Sequence, residues 1–300
     1  MYKKIFYLCL LIFIITSCNT TEDKADADDK FVVDDNQTET ILIDEEVMKD
    51  IVKSFSNPIE MAALVKSVGT AFSLDYLCPT ERFDQFNTDF QKALGLGLLS
   101  TDLGYLNIYE KTSSIVAYIQ VIKRMADDLR IGQFFDFQTL KRLATTNENL
   151  ERLMYESVAS FNQMDNHLRE HGRSNMSSLI VTGVFIEGLY LGTQVYKESR
   201  NEEIGERLGE QKIILNELLI VLKNFKGDKQ FQALIEQLEE IKKEYDGVQI
   251  SYRVGEPQAV EVDGKLKIIQ TDESIVDITE EQLDNIIKVA EKVRNKIINQ

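Results

Sequence analysis

Two stretches of this chain leave little freedom about its fold. Residues 93–109 (ALGLGLLSTDLGYLNIY) and 179–196 (LIVTGVFIEGLYLGTQVY) would be apolar on nearly every face of a helix. A helix that is apolar all round needs neighbours all round, so both are expected at the centre of a multi-helix body. Each is rich in glycine: Gly95, Gly97 and Gly104 in the first, Gly183, Gly188 and Gly192 in the second. A glycine inside a helix costs about 0.5–1 kcal/mol relative to alanine, which predicts close backbone approach or a tight niche at these positions. Taken over those limits, neither stretch is long and apolar enough to predict a membrane span.

From about Glu45 onward the remaining sequence repeats its apolar residues at three- and four-residue spacing. One stripe runs through Ile115, Tyr118, Ile122, Met125 and Leu129, and another through Leu153, Val158, Phe161, Met164 and Leu168. Others run through Leu208, Leu215, Leu218 and Leu222, through Phe231, Leu234, Leu238 and Ile241, and through Leu283, Ile287, Ala290, Val293 and Ile297. Thr145 with Glu148, and Thr279 with Gln282, have capping-box spacing and predict helix starts. Gly172 and Gly227 stand where helices should stop, with short linkers that predict antiparallel neighbours. Only 3 prolines interrupt the chain, which suits long helices. Residues 258–270 (QAVEVDGKLKIIQ) alternate instead, and Pro257 marks their entry. A three-residue loop ending at Gly264 would set Val260 opposite Leu266 and Glu261 opposite Lys265 in a small hairpin. The expectation is an all-α, antiparallel multi-helix bundle with two apolar central helices, a small C-terminal β-hairpin and a final helix. Residues 45–255 would form the helical domain, with residues 256–300 packing on it as hairpin plus helix. No tetratricopeptide-like period is visible, which leaves a solenoid as the alternative arrangement.

The N-terminus speaks to location. Lys3 and Lys4 precede an uninterrupted apolar run from Ile5 to Ile15, followed by small residues and Cys18. The run is shorter than the roughly 20 residues a bilayer span needs, and fits the apolar segment of a secretory signal. The string Ile15-Thr16-Ser17-Cys18 resembles the lipobox of bacterial lipoprotein precursors. That resemblance implies a signal peptide over residues 1–17, cleaved before a cysteine whose sulfur carries diacylglycerol and whose new amino group is acylated. Two or three acyl chains, at about 0.8 kcal/mol per buried methylene, would hold the protein at a membrane without a spanning helix. Cys9 would leave with the signal and Cys18 would be alkylated, so of the 3 cysteines only Cys78 would keep a free thiol. Losing Lys3 and Lys4 would take the formal charge from −16 to −18. Residues 18–44 read as an acidic flexible tether, since residues 19–40 hold eight Asp/Glu and two Lys. Asn19, not Asp, follows the cysteine, so the inner-membrane retention signal of enterobacterial lipoproteins is missing. The acidic stretch resembles surface-export signals of Bacteroidota lipoproteins, and the expected location is the outer membrane, on its periplasmic or surface face.

The body also resembles uncharacterised all-helical lipoproteins of Bacteroidota over roughly residues 60–225. The residues that carry this are Thr101-Asp102-Leu103-Gly104-Tyr105, Met125-Ala126-Asp127-Asp128-Leu129 and Ile186-Glu187-Gly188-Leu189-Tyr190. The resemblance implies no activity.

Three constellations could carry chemistry. Asp102 and Glu187 each place one acid in an apolar run, followed by Tyr105 and Tyr190. A buried carboxylate needs a partner or a proton. These four residues therefore mark either a core network, with partners such as Thr182, Arg124 or Arg152, or a ligand pocket between the central helices. His167-Leu168-Arg169-Glu170-His171 has the H-x-x-E-H pattern, in which two histidines one turn apart could bind Zn²⁺ with Glu170 as base. A further ligand from Glu239, Glu240 or Glu244 would be required, and the motif runs out at Gly172, at a polar helix end. A histidine near a helix C-terminus is favourable without any metal. Cys78 could pair with His167 or His171 as a nucleophile, or be a buried thiol. No phosphate loop, dinucleotide fingerprint, serine elbow or CxxC is present, so no cofactor is expected. With 50 Asp+Glu against 34 Lys+Arg, nucleic acid is not an expected partner. The leading expectation is a lipid-anchored, non-enzymatic binding or scaffold domain for an envelope protein. A small-ligand carrier using Asp102 and Glu187, and a zinc hydrolase using His167 and His171, are the alternatives.

Overall fold

The computed structural model describes residues 65–146, 150–253, 258–262, 265–269 and 273–299. The signal, Cys18, the tether 18–44, Glu148, Pro257 and the Asp263-Gly264 turn lie outside the described residues. Eight longer helices are described: α1 Asp89–Ile108, α2 Thr112–Asp128, α3 Phe137–Thr146, α4 Leu150–Glu170, α5 Ser174–Ser199, α6 Glu202–Lys223, α7 Lys229–Glu244 and α8 Glu280–Ile298. Strands β1 Gln249–Arg253, β2 Gln258–Val262, β3 Lys265–Ile269 and β4 Glu273–Asp277 lie between α7 and α8.

The two apolar stretches form α1 and α5, and these pack on each other more extensively than any other pair. α2, α3 and α4 lead from α1 round to α5, each packed on the helix before it, and α4 packs on α5. α6 and α8 pack on α5 as well, and α7 packs on both α6 and α8. The arrangement is the antiparallel bundle with a central helix pair that the all-round apolarity predicts. Along α1, residues 93–99 and 105–108 are buried, and along α5 nearly everything from Ser177 to Tyr196 is. α5 is longer than its apolar stretch. At 26 residues it is long and apolar enough to cross a membrane, contrary to the sequence expectation. Its apolar window is 83% buried inside the protein, which makes it the core helix of the bundle.

Gly97 and Gly183 explain the tightness of the central crossing. A Cβ at Gly97 would lie 2.1 Å from the Ile180 carbonyl oxygen, and one at Gly183 would lie 2.2 Å from that of Leu94. Gly95 makes the niche for the rings of Phe83 and Phe86, which a Cβ would approach to 2.8 and 2.9 Å. Gly104 and Gly188 depart from the expectation, because a Cβ at either would meet nothing within 4 Å.

Helix ends follow local chemistry. Thr279 and Gln282 cap α8 reciprocally as expected, and Thr88 with Gln91 does the same for α1. Thr145 is not a cap. It lies in the last turn of α3, where its hydroxyl donates to the Lys141 carbonyl at 2.8 Å. Threonine is equally able to bond back into its own helix, which is why the spacing misled here. Gly172 stops α4 at φ +67°, a left-handed conformation that favours glycine. Gly227 lies in the turn between α6 and α7.

The hairpin is longer than expected and set one residue differently. β2 and β3 pair Val262 with Lys265, Glu261 with Leu266 and Val260 with Lys267. β2 runs to Val262 and β3 starts at Lys265, so Val262 is a strand residue where the expected three-residue loop had included it. β1 and β4 form a second two-stranded antiparallel sheet, pairing Gln249 with Asp277 and Arg253 with Glu273. The boundary expected at residues 255–256 therefore falls between β1 and β2. β4 rests on α6 through Val276, which a Cβ at Gly209 would meet at 2.4 Å. The α8 stripe of Leu283, Ile286, Ile287, Ala290, Val293 and Ile297 is buried throughout.

Candidate functional site

Four charged or nucleophilic side chains meet at the centre of the bundle. Cys78 sits between two 3-10 turns, Leu74–Tyr76 and Thr80–Gln85. The following Pro79 disfavours helical backbone at Cys78. Its main-chain groups thus have no ladder partner and are satisfied by side chains. The Cys78 N–H donates to Asp102 Oδ2 of α1 at 2.9 Å, and the Tyr118 hydroxyl of α2 donates to the Cys78 carbonyl at 2.7 Å.

Glu187 of α5 and Arg294 of α8 complete the cluster. Arg294 Nε and Nη2 donate to the two Glu187 carboxylate oxygens at 3.0 and 2.8 Å, a bidentate pair. Nη2 also donates to Cys78 Sγ at 3.0 Å and to the Tyr76 carbonyl at 3.1 Å. The guanidinium lies over the Tyr190 ring, 4.3 Å from its centroid. The Cys78 thiol donates to Glu187 Oε2 at 3.5 Å. Cys78, Asp102 and Glu187 are 0% exposed, and Arg294 is 4% exposed.

Burial governs the electrostatics. It raises the Asp102 carboxyl well above the usual carboxylate range, and the neighbouring Glu187 charge adds to the rise. The Cys78 N–H and the Arg294 charge oppose it without reversing it. The Cys78 thiol is raised for the same two reasons, burial first and then Glu187. Burial lowers Arg294, but the Glu187 carboxylate more than restores it. A neutral Asp102 and a neutral Cys78 beside a Glu187–Arg294 pair give a cluster with no net charge. Asp102 Oδ1 has no hydrogen-bond partner among the described residues.

The structure brings Asp102, Glu187 and Tyr190 together, as the sequence singled them out. Tyr105 belongs to a neighbouring aromatic stack, 5.6 Å from Phe72 and 4.7 Å from Tyr109 between centroids, and its hydroxyl accepts the Ser73 N–H. The partners considered from sequence lie elsewhere. Arg124 pairs with Asp84 on the surface, Arg152 with Glu156, and Thr182 donates to the Ser178 carbonyl. Arg294 was missed, although a signal exists: it occupies the α8 stripe four residues after Ala290 and three before Ile297. A charge on a buried stripe calls for a buried opposite charge.

His167 and His171 stack on each other at the end of α4, 4.1 Å between centroids, with His167 against Phe134. His171 Nδ1–H donates to the His167 carbonyl at 2.8 Å, so that nitrogen is not free to ligate. Glu170 and His171 are exposed, Glu239 pairs with Lys223, and Glu240 pairs with Lys292. Two polar surface clefts are present. One, of about 180 Å³, lies between α3 and α4 beside Asp136, Arg142 and Glu156. The other, of about 290 Å³, lies beside Phe86, Lys92, Arg124 and Asp128. Neither is lined by the central cluster.

No protein-family profile matches the chain, and no curated protein or solved structure is significantly similar to it.

Proposed function

We propose that this chain is a lipid-anchored cell-envelope protein, attached through Cys18, whose helical body is a rigid non-catalytic scaffold that binds an envelope partner through its outer surface. One observation carries the reading of the body. The reactive groups of the core, Cys78, Asp102 and Glu187, are wholly buried and bonded to one another and to Arg294. A catalytic or ligand-binding constellation must present its groups to a substrate. This one faces inward and ties together the 76–79 segment, α1, α2, α5 and α8, which is what a clasp does. The anchor rests on the basic, apolar and small-residue sequence ending in Cys18.

Two measurements on the full-length protein test the two halves separately. In membrane fractions, intact mass is expected to show loss of residues 1–17 and acyl chains on Cys18, both abolished by Cys18→Ala. Unchanged processing and partition of that variant would remove the anchor. For the body, an aromatic disulfide reagent is expected to titrate no thiol in the native lipidated protein and one after denaturation, at Cys78. Rapid native reaction at Cys78 would mean the cluster is open, and the scaffold reading would fall.

A further inference from the structure

We propose that Cys78, Asp102 and Glu187 form a structural binding site for one soft divalent cation, with Zn²⁺ as the fitting class. The inference rests on the cluster's own geometry and needs neither the lipid anchor nor a partner. A thiol sulfur and one oxygen from each carboxylate all lie within 4.8 Å of one another. Ligands 2.3 Å (sulfur) and 2.0–2.2 Å (oxygen) from a tetrahedral zinc are separated by about 3.6 Å. Cys78 Sγ and Glu187 Oε2 are already 3.5 Å apart. Asp102 Oδ1 is wholly buried and receives no N–H or O–H from the described residues, and Asp102 has the Glu187 carboxylate as its side-chain neighbour. A proton shared between the two carboxylates satisfies that oxygen in the metal-free protein, and a cation can take the proton's place.

Charge is compatible with it once the thiol and the Asp102 carboxyl give up their protons. Three anionic ligands and the Arg294 guanidinium would carry a net −2 in a region that water does not reach. One divalent cation cancels that remainder. Binding to the metal-free form, whose thiol and Asp102 carboxyl are neutral, releases two protons to solvent as one metal–sulfur bond and two metal–oxygen bonds form. No electrons move. Arg294 is the one adverse charge. Its bonds to Glu187 Oε2 and Cys78 Sγ, at 3.0 Å each, give way to the ion, while it keeps its bond to Glu187 Oε1 and so serves as the orienting partner of a ligating carboxylate. A mixed thiolate and carboxylate set suits Zn²⁺ or Co²⁺ and is poor for Mg²⁺ or Ca²⁺, which prefer oxygen alone. The three side chains fill three of the four positions of a tetrahedral ion, and burial keeps bulk solvent from the fourth, which suits a structural role. Cys78 lies outside any α-helix, on a segment of short 3-10 turns, so the ligand that must close over the ion is also on the backbone least restrained by helical bonding.

The test uses full-length protein purified in detergent, unfolded with a chelator, and refolded with Co²⁺ as probe. The expected result is one tightly held equivalent of cobalt with a near-ultraviolet thiolate-to-cobalt charge-transfer band. Cys78→Ser should abolish the band, and Asp102→Asn, which keeps shape and hydrogen bonding, should weaken cobalt binding at least about tenfold. A His167→Ala/His171→Ala variant should keep both stoichiometry and band, which separates this site from adventitious binding at the α4 terminus. Native-like wild-type protein that takes up no cobalt, or a band that persists in Cys78→Ser, overturns the proposal.

Discussion

Replacing Arg294 with methionine is expected to be the most damaging single change in the C-terminal helix, costing about 3–5 kcal/mol in the metal-free protein. Methionine matches much of the volume of arginine and suits a buried stripe, so packing alone would forecast a mild effect. The loss arises because Glu187, 0% exposed, would be left without the bidentate donor that meets both of its carboxylate oxygens. For a body of this size, such a loss lowers the melting temperature by roughly 6–20 °C. Urea unfolding in chelator, followed by far-ultraviolet circular dichroism, measures it. Glu187→Leu combined with Arg294→Met should recover a large part of the loss, since removing both charges avoids the stranded one. If Arg294→Met alone unfolds with the wild type, the ion pair is not the clasp described above.

The second large effect concerns two glycines whose neighbours are backbone. Gly97→Ala must push its Cβ against the Ile180 carbonyl and the Val184 N–H, at 2.1 and 2.7 Å, and Gly183→Ala meets the Leu94 carbonyl at 2.2 Å. Main chain at the crossing of two central helices cannot step aside as a side-chain tip can. Each change should therefore cost about 1–3 kcal/mol or more, despite the better helix propensity of alanine. Gly104→Ala should have the opposite sign and stabilise by about 0.5–1 kcal/mol, because nothing lies within 4 Å of the added carbon. The same unfolding assay reads all three, and a Gly97→Ala protein at or above wild-type stability would contradict the close crossing.

These variants also mark what was legible in the sequence. Apolar residues on every face of α1 and α5 could only be satisfied at the centre, and single stripes could only face it, so the helical architecture followed from periodicity. Glycine content announced a close crossing but not which glycines make it. Gly97 and Gly104 look alike in sequence, and only the partner helix tells them apart. Asp102 and Glu187 were recognisable as costly to bury, whereas their partners came from segments remote in sequence: Cys78 lies 109 residues before Glu187, and Arg294 lies 107 after it. Local pattern carries no information on such distances. The hairpin register depended on whether Val262 belongs to the turn or the strand, and its pairing with Lys265 places it in the strand. Strands β1 and β4 were missed because Gln249–Arg253 and Glu273–Asp277 are too short and polar to announce themselves.

The position of Arg294 within the chain has a consequence for assembly. A polypeptide still emerging, with its final helix undelivered, holds Glu187 among apolar surroundings with no guanidinium to meet it. The central cluster therefore cannot close until α8 has docked on α5. For a protein threaded across a membrane as an extended strand, under the envelope reading proposed here, that delay is useful: the guanidinium that completes the core follows Glu187 through the pore, and the bundle locks only once both α5 and α8 are on the far side.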